Sequence, residues 1–172
     1  MAIPEKLINA KVYKEGEMLV GIADAELPEV EPLTETVSGF GIAGEVESPT
    51  LGHFKPMVLK LKWRTKTPAA AQLLAPKAHQ LDIRASIQEW DQDAGTYSTY
   101  PVKVVVKAIP KKGQLGKLEP AKPQDAEQEF EVTYMKMWIK GQEMVEIDKY
   151  NFIYKVDGVD YLESVRKDLG MA

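Results

Sequence analysis

The sequence predicts a mainly β protein, an antiparallel β-barrel or sandwich with two short helices. Three observations carry that expectation. Apolar and polar residues alternate over several short stretches, Gly-bearing turns separate them, and helical patterning is confined to two short segments.

In chain order, Leu7 to Tyr13 and Met18 to Ile22 flank Lys14-Glu15-Gly16-Glu17 and read as a hairpin. Pro28 and Pro32 interrupt the next stretch, so Glu26 to Pro32 is expected as a loop or edge, and Leu33 to Val37 as a short extended piece. The clearest strand is Met57 to Arg64. Met57, Leu59, Leu61 and Trp63 fall on one face, and Lys60, Lys62 and Arg64 on the other, because strand side chains alternate. Thr67-Pro68 then marks a helix start, since Thr caps free N–H groups and Pro at the first position loses no hydrogen bond. Ala69 to Ala75 continues that helix for about two turns, with Leu73 and Leu74 toward the core, and Pro76 stops it.

Leu81, Ile83, Ala85 and Ile87 alternate with Asp82, Arg84, Ser86 and Gln88 in another half-buried strand, closed by a turn at Asp91 to Gly95. Val102, Val104, Val106 and Ala108 line one face of the next. Pro110 to Gln124, rich in Pro, Gly and Lys, reads as a long exposed loop, uncommon in a compact domain unless it binds something or is mobile. Phe130 to Ile139 and Met144 to Tyr154 form the last strand pair, and Asp157-Gly158 a turn. A helix from Asp160 to Leu169, with Leu162, Val165 and Leu169 on one stripe and Gly170 as its stop, ends the chain.

The 172 residues fit a single domain, 1–172, that buries roughly two-thirds of its unfolded surface. An apolar fraction of 44% with 28% charged residues is that of a folded protein. Cysteine is absent, which excludes disulfide staples, thiolate nucleophiles and thiolate metal sites. The opening residues contain no apolar signal-peptide core, and no run approaches the ~20 apolar residues of a membrane helix. No membrane anchor is expected.

Net charge is −4 but unevenly spread. From Glu15 to Phe54 there are nine acidic residues and no Lys or Arg. All 22 basic residues lie elsewhere. The acidic stretch is either a solvated face or a surface that meets a basic partner. Neither suits a sequence-reading nucleic-acid binder, which needs a basic stripe.

Several motifs fail on context. Gly39-Phe40-Gly41-Ile42-Ala43-Gly44 has the spacing of a dinucleotide loop, but Glu45-Val46-Glu47-Ser48-Pro49 is a poor helix start and puts carboxylates where phosphates would bind. Asp91 to Gly95 has its Gly one residue too early for a calcium loop and lacks the later bidentate Glu. His53 and His79 are too far apart for metal-ligand spacing. No P-loop or nucleophile elbow is present, and nothing singles out a carboxylate pair for acid–base work. No catalytic residue, cofactor or metal is expected.

Several segments together resemble a known family along essentially the whole chain. They are Ala2 to Asn9, Leu33 to Thr36 running into Ser38-Gly39 and Gly41 to Val46, Leu51 to Phe54, Trp63 to Thr65, Leu74 to Leu81, Gly116 to Glu119, Glu146 to Lys149, Asn151 to Ile153 and Val156 to Leu162. Their ordered set resembles the major tail tube proteins of contractile-tailed bacteriophages, a family that also serves prophages and contractile bacteriocins. The resemblance implies a structural virion protein. Hexameric rings, whose strands join one continuous inner barrel, would stack into a hollow conduit for DNA. It also implies a surrounding tail sheath protein, tape measure and baseplate proteins as partners, assembly in the bacterial host cytoplasm, and DNA passing without sequence-specific binding. A ligand-binding or enzymatic β-barrel is the competing class, marked by a converging catalytic set that the residues do not display, and a monomeric β-sandwich adaptor is the third.

Three sets of residues become candidates on that footing. Asp24, Glu26, Glu29, Glu31, Glu35, Glu45 and Glu47 would line the lumen or the ring-to-ring contact, where negative charge repels phosphate. Gly39, Gly41 and Gly44, with Lys111 and Lys112 in the Pro110 to Gln124 segment, would belong to assembly loops ordered by a neighbour. Lys60, Lys62 and Arg64 would present a basic face to an acidic neighbour.

Overall fold

The structure, a computed structural model, describes residues 1–171. In chain order it holds β1 (Ala2–Lys14), β2 (Glu17–Met18), β3 (Ile22–Glu26), β4 (Pro32–Val37), β5 (Val46–Phe54), β6 (Val58–Trp63) and α1 (Pro68–Gln72). Then come β7 (His79–Asp91), β8 (Thr96–Gln114), β9 (Ala126–Ile139), β10 (Gln142–Asp148), β11 (Ile153–Val156), β12 (Val159–Asp160) and α2 (Glu163–Asp168). The expected class holds: mainly β, antiparallel throughout, with two short helices.

One sheet runs in the order β12-β11-β10-β9-β8-β7-β1-β2 and branches at β9. Residues 126–131 of β9 pair with β6, which carries β3 on its far side, whereas residues 134–139 pair with β10. Between the halves β9 bulges at Thr133, because Lys107 lies opposite Tyr134 while Ala108 lies opposite Val132. Gln128, Phe130 and Val132 point inward before the bulge, and Met135 after it. One extra residue thus shifts the alternation and keeps both halves facing the same core.

That core joins Val12 of β1, Leu81 and Ile83 of β7, Val104 and Val106 of β8, Phe130 of β9 and Ile147 of β10 to Leu59, Leu61 and Trp63 of β6. The sheet therefore curls over itself into an incompletely closed barrel. The basic and apolar faces of β6 fall as their alternation predicts: Met57, Leu59 and Leu61 are wholly buried. The Thr67 hydroxyl accepts from the Ala70 N–H at the start of α1, and Leu73 is buried beyond its end.

Six expectations need correction. Met18 to Ile22 is not one strand: β2 ends at Met18, and Ile22 opens β3 against β6. Arg64 lies just past β6, its N–H donating to the Gly21 carbonyl at 2.9 Å. Leu74 is 38% exposed, because α1 stops after little more than a turn and Leu74 lies past its end. Pro110, Lys111 and Lys112 belong to strand β8, not to a loop. Past Ala108 that strand pairs only with β9, so Pro110 sits on an edge where its missing N–H costs nothing. Met144 to Tyr154 is broken after Asp148, whose carboxylate accepts from the Tyr150 and Asn151 N–H groups and turns the chain. The last helix is shorter than expected, Glu163–Asp168, and Leu169 is exposed. Its stop at Gly170 is as expected: Gly170 N–H bonds the Lys167 carbonyl and Met171 N–H that of Arg166, the Schellman pattern.

Candidate assembly surfaces

The outer edge of the sheet at β1 is open. β7 pairs with β1 along almost its whole length, but on the other side β2 reaches only Tyr13 and Lys14. Among the described residues no strand pairs with the outer edge over residues 2–11. Ile8 is the extra residue of a bulge between Leu7 and Asn9, and Leu7 and Ile8 are 54% and 53% exposed, so this half of β1 leaves two adjacent apolar side chains uncovered. A long edge of this kind is a template for another chain. Its bulges, between Pro4 and Lys6 and between Leu7 and Asn9, restrict pairing to a strand of matching register.

The second surface is an arm. β4 and β5 form a two-stranded sheet of their own, and every residue of β4 is exposed. The Gly39 to Gly44 segment is the tip of this hairpin, and a side chain added at Gly39, Gly41 or Gly44 would meet no atom within 4 Å. Phe40 at the tip is fully exposed. The root, in contrast, is fixed. The Phe54 ring meets Tyr154 edge-on at 4.9 Å, and Gly52 lies so close to Leu162 that a Cβ there would stand 2.5 Å from its methyl carbons. Glu31 accepts from Lys55 Nζ at 2.8 Å and holds that ammonium above its ordinary pKa. Lys149 Nζ donates to the Lys55 carbonyl and lies 3.7 Å from Glu131, which also takes Lys111 at 3.6 Å.

The third surface is the outer face of β6. Lys60 stands in register between Glu26 of β3 and Glu129 of β9, and Lys112 of β8 faces Glu129 from the next strand. A row of alternating charge thus crosses four strands: Glu26, Lys60, Glu129, Lys112. Asp24, Lys62 and Glu127 begin a parallel row. Lys60 and Lys62 therefore have acidic neighbours within their own chain.

The seven acidic candidates fall into two groups. Asp24 and Glu26 lie in those rows on the barrel, whereas Glu35, Glu45 and Glu47 lie on the arm and Glu29 and Glu31 at its root. The Pro110 to Gln124 candidates divide as well. Lys111 and Lys112 are in a strand, and the true loop, residues 115–125, is tied down at Gln124. Its side chain accepts from the Lys66 N–H at 2.9 Å and donates to the Leu115 carbonyl at 3.1 Å. Its backbone N–H donates to the Arg64 carbonyl.

Sequence reasoning missed the β1 edge and the isolation of the arm. Consecutive Leu7 and Ile8, two apolar residues where a half-buried strand would alternate, were the available signal. It also missed an apolar cavity of about 510 Å³ between β1, β7 and β3, bordered by Leu7, Val20, Leu27 and Ile87 with Lys11, Asp24 and Arg64. Those three charged groups do not form an acid–base or nucleophile set. His79 is buried and bonded to the Ala75 carbonyl at 3.0 Å, and His53 is exposed on β5. Among the described residues, no three His, Asp or Glu side chains are placed to hold a metal ion. No described helix is long and apolar enough to cross a membrane.

The profile of the family described as phage tail tube protein FII matches residues 4–170. The tail tube protein of Escherichia phage P2 is 29% identical over 178 residues, covering 99% of this chain and all of that protein. Two components of PVC, an extracellular contractile injection system in its extended state, share the fold. A chain of its sheath/tube terminator aligns with TM-score 0.56 and 14% identity, over 78% of this chain and 96% of that one. A chain of its sheath-tube complex aligns with TM-score 0.54 and 16% identity, over 80% and 91%.

Proposed function

The chain belongs to the phage tail tube protein FII family and has a structural role in the tail tube; on that premise we propose that it polymerises by completing its own unpaired β1 edge with strands of neighbouring copies. Six copies close a ring whose strands form one continuous inner barrel. The rings stack into the hollow tube of a contractile virion tail, through which DNA passes. The observation that carries this reading is the edge over residues 2–11, unpaired along its backbone and bearing the exposed apolar side chains of Leu7 and Ile8. An isolated subunit with such an edge is an aggregation hazard, and regular self-association turns the hazard into an interface. Ring closure uses two different surfaces of each copy, and stacking then leaves an open-ended polymer.

A tail sheath protein packs around the outside, in keeping with the sheath-tube assembly in which one structural relative was solved. Tape measure and baseplate proteins meet the ends of the tube. Assembly takes place in the bacterial host cytoplasm, and the chain performs no catalysis. Glu35, Glu45 and Glu47 on the arm, with Glu29 and Glu31 at its root and Asp24 and Glu26 on the barrel, supply negative charge to the lumen or to contacts between rings. At the lumen, that charge keeps DNA from binding as it moves. Negative-stain microscopy of the purified full chain tests the reading: rings or hollow tubes are expected, and a dispersed monomer at every concentration overturns it.

A further inference from the structure

We propose that the tip of the β4–β5 arm of one copy, Phe40 foremost, seats in the apolar cavity between β1 and β3 of a second copy. The inference rests on the tube reading and names the contact partner of the arm. Three observations carry it.

The first is unmet apolar surface on both sides. Phe40 is fully exposed, and around the cavity Leu7, Met18, Val20 and Leu27 are 43–66% exposed. A cavity of about 510 Å³ has the size of a cleft that encloses a large side chain and its neighbours. Aromatic side chains in such clefts supply most of an interface's binding energy.

Charge is the second. The arm carries Glu35, Glu45 and Glu47 and no Lys or Arg between residues 32 and 54. The cavity border carries Lys11 and Arg64, against the single acid Asp24. Among the described residues neither Lys11 nor Arg64 has a carboxylate within 4.0 Å, and neither do the three arm glutamates have a cation. Opposite charges left unpaired on two surfaces favour their meeting and fix its orientation.

The third is that donor and acceptor are different places on the molecule. Phe40 at the arm's tip is fully exposed and so does not fill the cavity of its own chain, although the cavity wall at Leu27 runs into the arm's root at Glu29 and Glu31. Arm-to-cavity contact between copies is therefore head-to-tail, the symmetry that builds rings and filaments and not closed pairs.

The absence of cysteine allows a direct test by disulfide trapping. Phe40→Cys and Val20→Cys are combined in the full chain, tubes are oxidised mildly, and the product is run on a non-reducing gel. A ladder of covalent multimers is expected, with neither single variant giving more than a dimer. Tubes of the double variant that stay monomeric on the gel overturn the proposal. Phe40→Ala gives a second reading if the cysteine pair blocks assembly. It is expected to leave subunit melting unchanged and to raise the concentration threshold for tubes at least about tenfold. An unchanged threshold overturns the proposal while leaving the tube reading intact. Failure of the unsubstituted chain to assemble overturns both.

Discussion

The Trp63 indole N–H donates to Gln128 Oε1 at 3.0 Å, and both side chains are about 1% exposed. The amide of Gln128 donates in turn to the Ala70 carbonyl at 2.8 Å. One buried glutamine thus ties β6, β9 and α1 together, and each of its partners has been removed from water. Gln128→Leu preserves approximate volume but orphans the indole N–H and the Ala70 carbonyl, at about 1–3 kcal/mol each. Thermal melting of the subunit is expected to fall by at least about 5 °C. A melting point equal to that of the unsubstituted chain contradicts the assigned network.

The two faces of β6 give opposite expectations. Leu61→Ala opens the core and is expected to cost roughly 2–5 kcal/mol. Lys60→Glu with Lys62→Glu turns each alternating row into a run of like charges, Glu26-Glu-Glu129 in the first. Directly opposed like charges cost roughly 0.2–1 kcal/mol per pair, so the double variant is expected to fold, with a melting deficit that shrinks in high salt. Microscopy then decides whether the face also meets a neighbour. Loss of tubes from the folded variant supports that proposal, and normal tubes show that the rows serve the subunit alone.

Much of this fold was legible from period-two alternation. β6, β7 and the Val102 to Ala108 part of β8 show it plainly, since each has one face in the core and one in solvent. The pattern failed where a different constraint governed. Pro110 reads as a breaker, yet it lies where β8 has lost one neighbour and needs no N–H on that side. The bulge at Thr133 shifts the alternation of β9, which no count of apolar residues from one end reveals. The assembly surfaces were legible only in part. The acidic stretch and the glycines at 39, 41 and 44 stood out in composition, but their division between a barrel strand and a projecting arm depends on pairing between distant segments. The cavity joins Leu7 to Leu27 and Ile87, a meeting that no local pattern encodes.

Gly116 is the turn that closes the loop over residues 115–125. Its φ is +88°, and a Cβ there would stand 2.5 Å from the Gln124 carbonyl oxygen, a backbone atom that cannot step aside. Gly116→Ala is expected to break the Lys117 N–H to Gln124 carbonyl bond and release the loop. Hydrogen exchange should accelerate across residues 115–125 with little change in β7. Unchanged protection in the loop contradicts this role.

Asp160 and Arg166 form an ion pair at the start of α2, and the Leu162 N–H also donates to Asp160. The hydrogen bond from Arg166 holds the Asp160 carboxyl below its ordinary pKa, with the Leu162 N–H adding to the effect. A carboxylate depressed in the folded state contributes stability above its unfolded pKa of about 3.9. That contribution fades as pH falls from there through the lower folded value. Asp160→Asn is therefore expected to lower stability at neutral pH and to flatten the acid side of the stability profile. Parallel profiles for the two proteins contradict this assignment.

Cryo-electron microscopy of polymers assembled from the purified full chain tests the central claim most directly, because it shows the state of the β1 edge. The account predicts six-fold rings stacked into a hollow tube, in which backbone groups of residues 2–11 pair with a strand of the adjacent copy. Polymers whose β1 edge remains solvated, or a chain that stays monomeric, would contradict it.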